Sequence, residues 1–275
     1  MRVRHFLLLS TASAILFGCS SLKQDRTIGW SANQLYEAAK AEREGGSYTA
    51  AVDYYDKLLA RFPYGSLAQQ SILDIAYVHY KNSEPDKAIE KLNEFLHTYP
   101  QHPYADYALF LRGVVEYERN VSFFDRLMPT NLSQTDPEAL KTAFNTFAEV
   151  ADKYPQSEYA EDARARMVFI HNLLGEHTLE VANYYLRRGT YIAAINRYKQ
   201  VLEEYEQSQS APYALAAMSR AYREMGETAL AQDAEAVLRL NFADKLQDKE
   251  IRHYLNGDIH KQPSFWQRIN AKPKI

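Results

Sequence analysis

The sequence has a single cysteine, Cys19, so no disulfide can form within the chain. Glycine and proline are sparse, at 10 each among 275 residues, which argues against a loop-rich or all-β fold. Charge of neither sign dominates. The 32 lysines and arginines face 35 acidic residues and leave a formal net charge of −3. The field that draws a protein to nucleic acid is therefore absent, and no nucleic-acid partner is expected. Chemical motifs are equally scarce. There is no Gly-rich phosphate loop and no Gly-x-Ser-x-Gly elbow. The eight histidines are scattered: His97 and His102 straddle a proline turn, and His171 and His177 miss the one-turn spacing of a helical metal site. Carboxylates read as solvated helix faces. No catalytic residue, metal site or cofactor emerges, and a non-enzymatic role is expected.

What is present begins at the N-terminus. Met1-Arg2-Val3-Arg4-His5 is basic, Phe6 to Phe17 is mostly apolar, and Leu16-Phe17-Gly18-Cys19 follows. This is the layout of a secretory signal, and its apolar run is too short to span a bilayer permanently. The cysteine directly after Gly18 makes the segment resemble a bacterial lipoprotein signal, with Phe17 departing from the usual small or aliphatic residue. That resemblance implies that residues 1–18 are removed and that Cys19 carries lipid, the only covalent group expected. Ser20 stands where an Asp favours inner-membrane retention, which implies an outer-membrane anchor facing the periplasm. Several acyl chains hold such a protein stably where one does not. Residues 19–31 lack periodicity and read as the lipidated Cys and a tether.

Tyrosine is the compositional outlier, at 21, and it recurs in a pattern. Gly45-Gly46-Ser47-Tyr48-Thr49-Ala50-Ala51 leads to Tyr55, Leu58 and Pro63, and Gly189-Thr190-Tyr191-Ile192-Ala193-Ala194 leads to Tyr198 and Val201. A small residue, a ring four later and an aliphatic three after that share one helical face. The same offsets appear as Ala88/Leu92/Phe95, Ala143/Phe147/Val150 and, more weakly, Ala231/Glu235/Leu238. Pro63, Pro100 and Pro155 follow such runs, each read as ending a helix, and polar or proline-containing turns then open new apolar-periodic runs. Two helices per unit of about 34 residues resembles the tetratricopeptide repeat. Leu35 and Ala39, then Ile72 and Ala76, replace that repeat's Trp and Gly. The expected fold is all-α, a right-handed α-solenoid of five helix pairs over about residues 32–245. An insertion between Gly113 and Ala143 contains Asn120 to Pro129, with Phe123-Phe124 tucked onto the solenoid, and Asp136-Pro137. A helix can continue over Asp244 to Leu255, and a basic tail with Lys261, Arg268, Lys272 and Lys274 around Phe265-Trp266 follows Gly257.

In stacked helix pairs the first helices line a groove. Taking the second-helix alanines as register, this groove carries Tyr36, Lys40, Arg43, Tyr77, Tyr80, Lys81, Tyr107 and Phe110, with Asn33, Leu73 and Tyr117 beside them. Rings suit extended apolar side chains, and cations suit a chain-terminal carboxylate.

Together these features resemble the BamD/ComL family, a component of the machinery that assembles β-barrel proteins in the outer membrane. The stretches that carry the resemblance are Arg61-Phe62-Pro63-Tyr64-Gly65, Tyr80-Lys81-Asn82, Asp106-Tyr107 with Arg112-Gly113, Tyr154-Pro155 with Ser157, and Val181-Ala182-Asn183-Tyr184-Tyr185 with Arg188-Gly189 and Asn196-Arg197. The resemblance implies a non-enzymatic scaffold. Repeats over 32–130 bind unfolded outer membrane proteins. Repeats over 131–245 dock the barrel-forming subunit through its periplasmic domains, with Arg197 on the docking face. Other assembly lipoproteins are further partners, and residues 246–275 form a terminal helix and tail without a family role. A repeat lipoprotein escorting a secretin, and a regulator of an envelope enzyme, remain alternatives at this level.

Overall fold

In the computed structural model the structure describes residues 25–119 and 136–256; Cys19, the Phe123-Phe124 pair and the tail from Gly257 lie outside them. Among the described residues there are eleven α-helices, one 3-10 turn and no strand. Ten helices make five consecutive pairs. These are α1 (Ala32–Glu44) with α2 (Tyr48–Arg61), α3 (Ser66–Lys81) with α4 (Pro85–Thr98), α5 (Ala105–Arg119) with α6 (Pro137–Lys153), α7 (Ala160–Arg187) with α8 (Tyr191–Glu204), and α9 (Ala211–Glu224) with α10 (Thr228–Asn241). A short α11 (Lys249–Asn256) follows the 3-10 turn Ala243–Lys245. Each pair packs on the next, which is the expected all-α solenoid of tetratricopeptide type.

The small–ring–aliphatic sets are the seams of the stack. Ala51, Tyr55 and Leu58, and their counterparts Ala88/Leu92/Phe95, Ala143/Phe147/Val150 and Ala194/Tyr198/Val201, are all buried. Leu35, Ala39, Ile72 and Ala76 face them from the first helices and are buried too. In the last pair Glu235 takes the ring position. It accepts from Ser219 Oγ at 3.0 Å and pairs with Arg223 at 3.2 Å, so a polar bridge stands where the other pairs have apolar bulk.

Four of the five pairs share one turn. Gly46, Ser83, Gly189 and Gly226 have positive φ, and the residue after each donates its N–H to a carbonyl five residues back: Ser47 to Glu42, Glu84 to His79, Thr190 to Tyr185 and Glu227 to Tyr222. These are Schellman turns, which suit glycine at the left-handed position. Ser83 alone holds it with a side chain. In pair three the residues that join α5 to α6 lie outside the described ones. The second helices end alike as well. Phe62, Tyr99, Tyr154, Tyr205 and Phe242 are the C-caps, with φ between −126° and −136°. Proline follows only three of them, so the constant feature of the stop is the aromatic cap, and the proline reinforces it by disfavouring helical geometry in the residue before it.

Two glycines mark close approach. A Cβ on Gly113 of α5 would lie 2.8 Å from the Phe147 ring on α6. A Cβ on Gly175 would lie 2.7 Å from Ser208 Oγ in the turn after α8. Gly175 sits within α7, which at 28 residues is the longest helix. Its first half joins the cluster around Phe147, through Ala163 and Ile170, and its second half joins the C-terminal cluster, through Leu179, Ala182 and Leu186. One continuous helix thus ties the middle of the stack to its end.

Four expectations are corrected. The end of the tether is docked: Arg61 donates to the Thr27 carbonyl and to Asp25, Thr27 is buried, and Trp30 stacks on Tyr54 with centroids 6.0 Å apart. The Arg61-Phe62-Pro63 stretch therefore anchors the entry of the chain as well as ending α2. Asp136-Pro137 is helix, not insertion. Asp136 caps α6 by accepting from the Glu138 N–H, and Pro137 takes the first turn, where its missing N–H costs nothing. The boundary at 130/131 divides the two helices of one pair, and Gly113 against Phe147 shows how tightly those two are packed. The boundary at 245/246 cuts off α11, yet Ile251, Tyr254 and Leu255 are buried with the C-terminal core. α11 falls within the stretch where a terminal helix is expected, but it packs with the last pair and belongs to the repeat core.

Candidate functional site: a tyrosine-lined groove on the first helices

The site grows from one carboxylate. Asp74 of α3 is only 6 % exposed. It accepts from the Tyr36 hydroxyl at 2.8 Å, Arg43 Nη1 at 2.9 Å, the Tyr55 hydroxyl at 3.1 Å and Gln70 Nε2 at 3.2 Å. α1, α2 and α3 meet at this residue. Burial, followed by the Asp74 charge, pushes both the Tyr36 and Tyr55 hydroxyls above the ordinary tyrosine range.

Beside this knot lies an open cavity of about 520 Å³ lined by Arg43, Glu44, Tyr48, Leu73, Asp74, Tyr77, Lys81 and Tyr107. It draws on α1, α2, α3 and α5. Tyr77 and Lys81 are one turn apart on α3 and share a face. Burial pushes the Tyr107 hydroxyl up to about 12, so it stays a neutral donor and acceptor at any physiological pH. The cavity can take one large apolar side chain among its rings, with Lys81 and the outer edge of Arg43 available to an anionic group.

Of the eight groove residues expected from the repeat register, Arg43, Tyr77, Lys81 and Tyr107 line this cavity together. The other four do not. Tyr36 is turned to Asp74 and lies edge-on to Tyr55. Tyr80 donates to Glu118 Oε2 at 3.0 Å and packs between two core clusters. Phe110 stacks on Tyr159 at 5.1 Å and contacts Phe147 and Arg166. Lys40 is half-buried on α1, away from the lining. The residues not anticipated are Asp74, Tyr48 and Glu44. Asp74 had a signal: it precedes Tyr77 by one helical step on the stripe that continues to Lys81.

Elsewhere, Arg197 is exposed on α8 and donates to Gln200 Oε1 at 2.7 Å. It also lies near His177, whose pKa is lowered first by burial and then by the Arg197 charge. His171 packs its ring on Tyr205 at 5.3 Å, with Nε2 3.3 Å from the Glu204 carbonyl. Among the described residues no group of three His, Cys, Asp or Glu could hold a metal ion, and no helix is long and apolar enough to cross a membrane.

A family model described as an outer membrane lipoprotein, YfiO, matches residues 30–238, all five helix pairs but for the last turn of α10. The chain belongs to this family. Similar members carry the name outer membrane protein assembly factor BamD. The protein of Neisseria meningitidis serogroup B is 42 % identical over 216 residues, 78 % of this chain and 81 % of its own length. That of Xylella fastidiosa strain 9a5c is 32 % identical over 97 % of this chain and 89 % of its own, and that of Vibrio cholerae is 33 % identical over 84 % and 95 %. The family match begins at Trp30, the residue stacked on Tyr54, so of the docked entry segment it takes in Trp30 but not Asp25 or Thr27.

Proposed function

We propose that this protein is an outer membrane protein assembly factor, anchored by lipid on Cys19 at the periplasmic face of the outer membrane. The α1–α5 end binds unfolded barrel proteins. The α7–α10 end docks the periplasmic domains of the barrel-forming subunit, beside other assembly lipoproteins. It acts as a scaffold without chemistry of its own.

The observation that carries the reading is the tyrosine-walled cavity beside Lys81. An unpaired barrel strand is extended and presents its apolar side chains on one face. The cavity accepts one of them, and Lys81 meets a terminal carboxylate. Ordering an extended peptide costs entropy, so affinity is micromolar, on the order of −8 kcal/mol or weaker.

The test is photocrosslinking with a peptide of a barrel protein's last strand. Tyr77→Ala with Tyr107→Ala should lower crosslinking and leave helicity and subunit capture intact. Crosslinks that map to residues 190–240 would overturn the division of labour. Arg197→Glu should weaken capture of the barrel subunit more than Lys199→Glu, because a guanidinium can pair bidentately with a partner carboxylate; equal affinities remove Arg197 from the docking face. Cys19→Ala should leave uncut precursor or a soluble periplasmic form, and an unmodified N-terminal Cys in the intact mass of the mature protein would refute the anchor.

A further inference from the structure

The last helix pair leaves an apolar stripe uncovered among the described residues. Leu230, Val237 and Leu240 of α10 are 44, 45 and 83 % exposed. They follow one another in helical steps with Asp233 between them, also exposed, so the four share one face. Asp244 lies just past the end of the helix and is exposed too. Elsewhere in the stack the second helix of one pair packs on the next pair. Here the chain turns away, and α11 packs against α9 instead, through Ile251, Tyr254 and Leu255.

We propose that this α10 face is a docking site for the chain's own C-terminal segment, residues 257–275. Three features single out this occupant. The segment supplies apolar groups of matching size in Phe265, Trp266 and Ile269. It carries Lys261, Arg268, Lys272 and Lys274 with Asp258 as its one acid, which complements the exposed Asp233, while Asp244 already pairs with Lys245 at 3.3 Å. It also starts in the right place. It leaves α11, which is separated from α10 only by α9. Packed helix axes lie about 8–10 Å apart, and the nine residues from Gly257 to Phe265 extend to about 30 Å. Three apolar side chains are far too small an area for a stable complex with a separate protein. A tethered segment needs no such area, because its effective concentration is in the millimolar range.

Tryptophan reports the contact. The chain has two, Trp30 and Trp266, and Trp30→Phe keeps a ring on Tyr54 while leaving Trp266 as the only tryptophan to be excited selectively beyond the tyrosine band. The sample is the mature full chain with Cys19→Ser, in detergent-free buffer. Trp266 should emit to the blue and resist acrylamide, independently of protein concentration. Leu240→Asp should shift that emission to the red and raise quenching with helicity unchanged, and added salt should do the same in part. Emission that is fully water-exposed and indifferent to Leu240→Asp would overturn the proposal. So would shielding that grows with protein concentration, which assigns the segment to a second copy. Shielding that appears only with anionic phospholipid vesicles assigns it to a membrane surface and overturns it equally.

Discussion

Replacing Asp74 with alanine tests whether one buried carboxylate holds the N-terminal end of the solenoid together. The side chain joins α3 to Tyr36 and Arg43 of α1 and to Tyr55 of α2. Tyr55 is completely buried, so loss of its acceptor strands a hydroxyl away from water, at about 1–3 kcal/mol. Tyr36 is half-buried, and loss of its bond costs about 0.5–1.5 kcal/mol. Arg43 has 21 % of its side chain exposed and can turn to water, so its share is about 1 kcal/mol or less. Removing the carboxylate also relieves its desolvation, which offsets part of these losses. The net expectation for Asp74→Ala is about 2–4 kcal/mol.

Urea denaturation followed by helicity measures it. Asp74→Asn keeps an acceptor for the two hydroxyls and should cost clearly less. Tyr55→Phe removes the hydroxyl that would otherwise be stranded, so the double variant Asp74→Ala/Tyr55→Phe should be less destabilised than the two single losses together, with a coupling of about 1 kcal/mol. A loss for Asp74→Ala below about 0.5 kcal/mol, within the range of an ordinary surface change, would refute the reasoning. So would strict additivity in the cycle.

The remaining expectations concern packing, turns and pH. Gly113→Ala and Gly175→Ala drive a methyl into Phe147 and Ser208, and each should lower the unfolding free energy measured in urea by about 1–3 kcal/mol of overpacking, although alanine is the better helix former; a gain in stability for both would refute the close approach. Ser83→Gly removes a side chain from the left-handed position and should stabilise by up to about 1 kcal/mol, whereas Gly189→Ala should destabilise by about 1–2 kcal/mol, and thermal melts that rank the pair the other way would contradict the shared turn. Burial chiefly raises the hydroxyls of Tyr36, Tyr55 and Tyr198 above the ordinary tyrosine range of about 10. The folded state therefore resists their ionisation, and the stability this represents is present below pH 10 and falls away as pH climbs past it. Phenolate absorbance should rise together with loss of helicity, and buried tyrosines that titrate before the helices melt would refute it.

The second helices were legible because their chemistry is local. A small residue, a ring and an aliphatic at fixed offsets specify one face, and in four of the five pairs all three are buried. The groove was harder, because each residue turns a helix by about 100° and one step separates groove from seam. Tyr77 and Lys81 point into the cavity, while Tyr80, one residue before Lys81, is turned to Glu118 on the next pair. Asp74 shows a second limit. Its partners Tyr36 and Arg43 lie 38 and 31 residues upstream, and no local pattern joins them. The docked entry segment shows the same limit, since Asp25 and Thr27 are held by Arg61, with Lys57 beside it, from the distant helix α2.

The same knot shapes what the groove can recognise. Arg43 commits Nη1 to Asp74 at 2.9 Å and lies 3.9 Å from Glu44, so two carboxylates oppose its charge as felt from the cavity. Lys81 is exposed at the rim, and a carboxylate arriving from solvent is drawn there first. In the proposed role the groove would read its ligand chiefly by fit of an apolar side chain against Tyr48, Tyr77 and Tyr107, with one cation to orient a chain end. Recognition of that kind would tolerate many sequences that share an alternating pattern, and would release them readily. The binding of many unfolded barrels proposed above would need both properties, and the internal neutralisation of Arg43 by Asp74 would supply them while it holds α1, α2 and α3 in register.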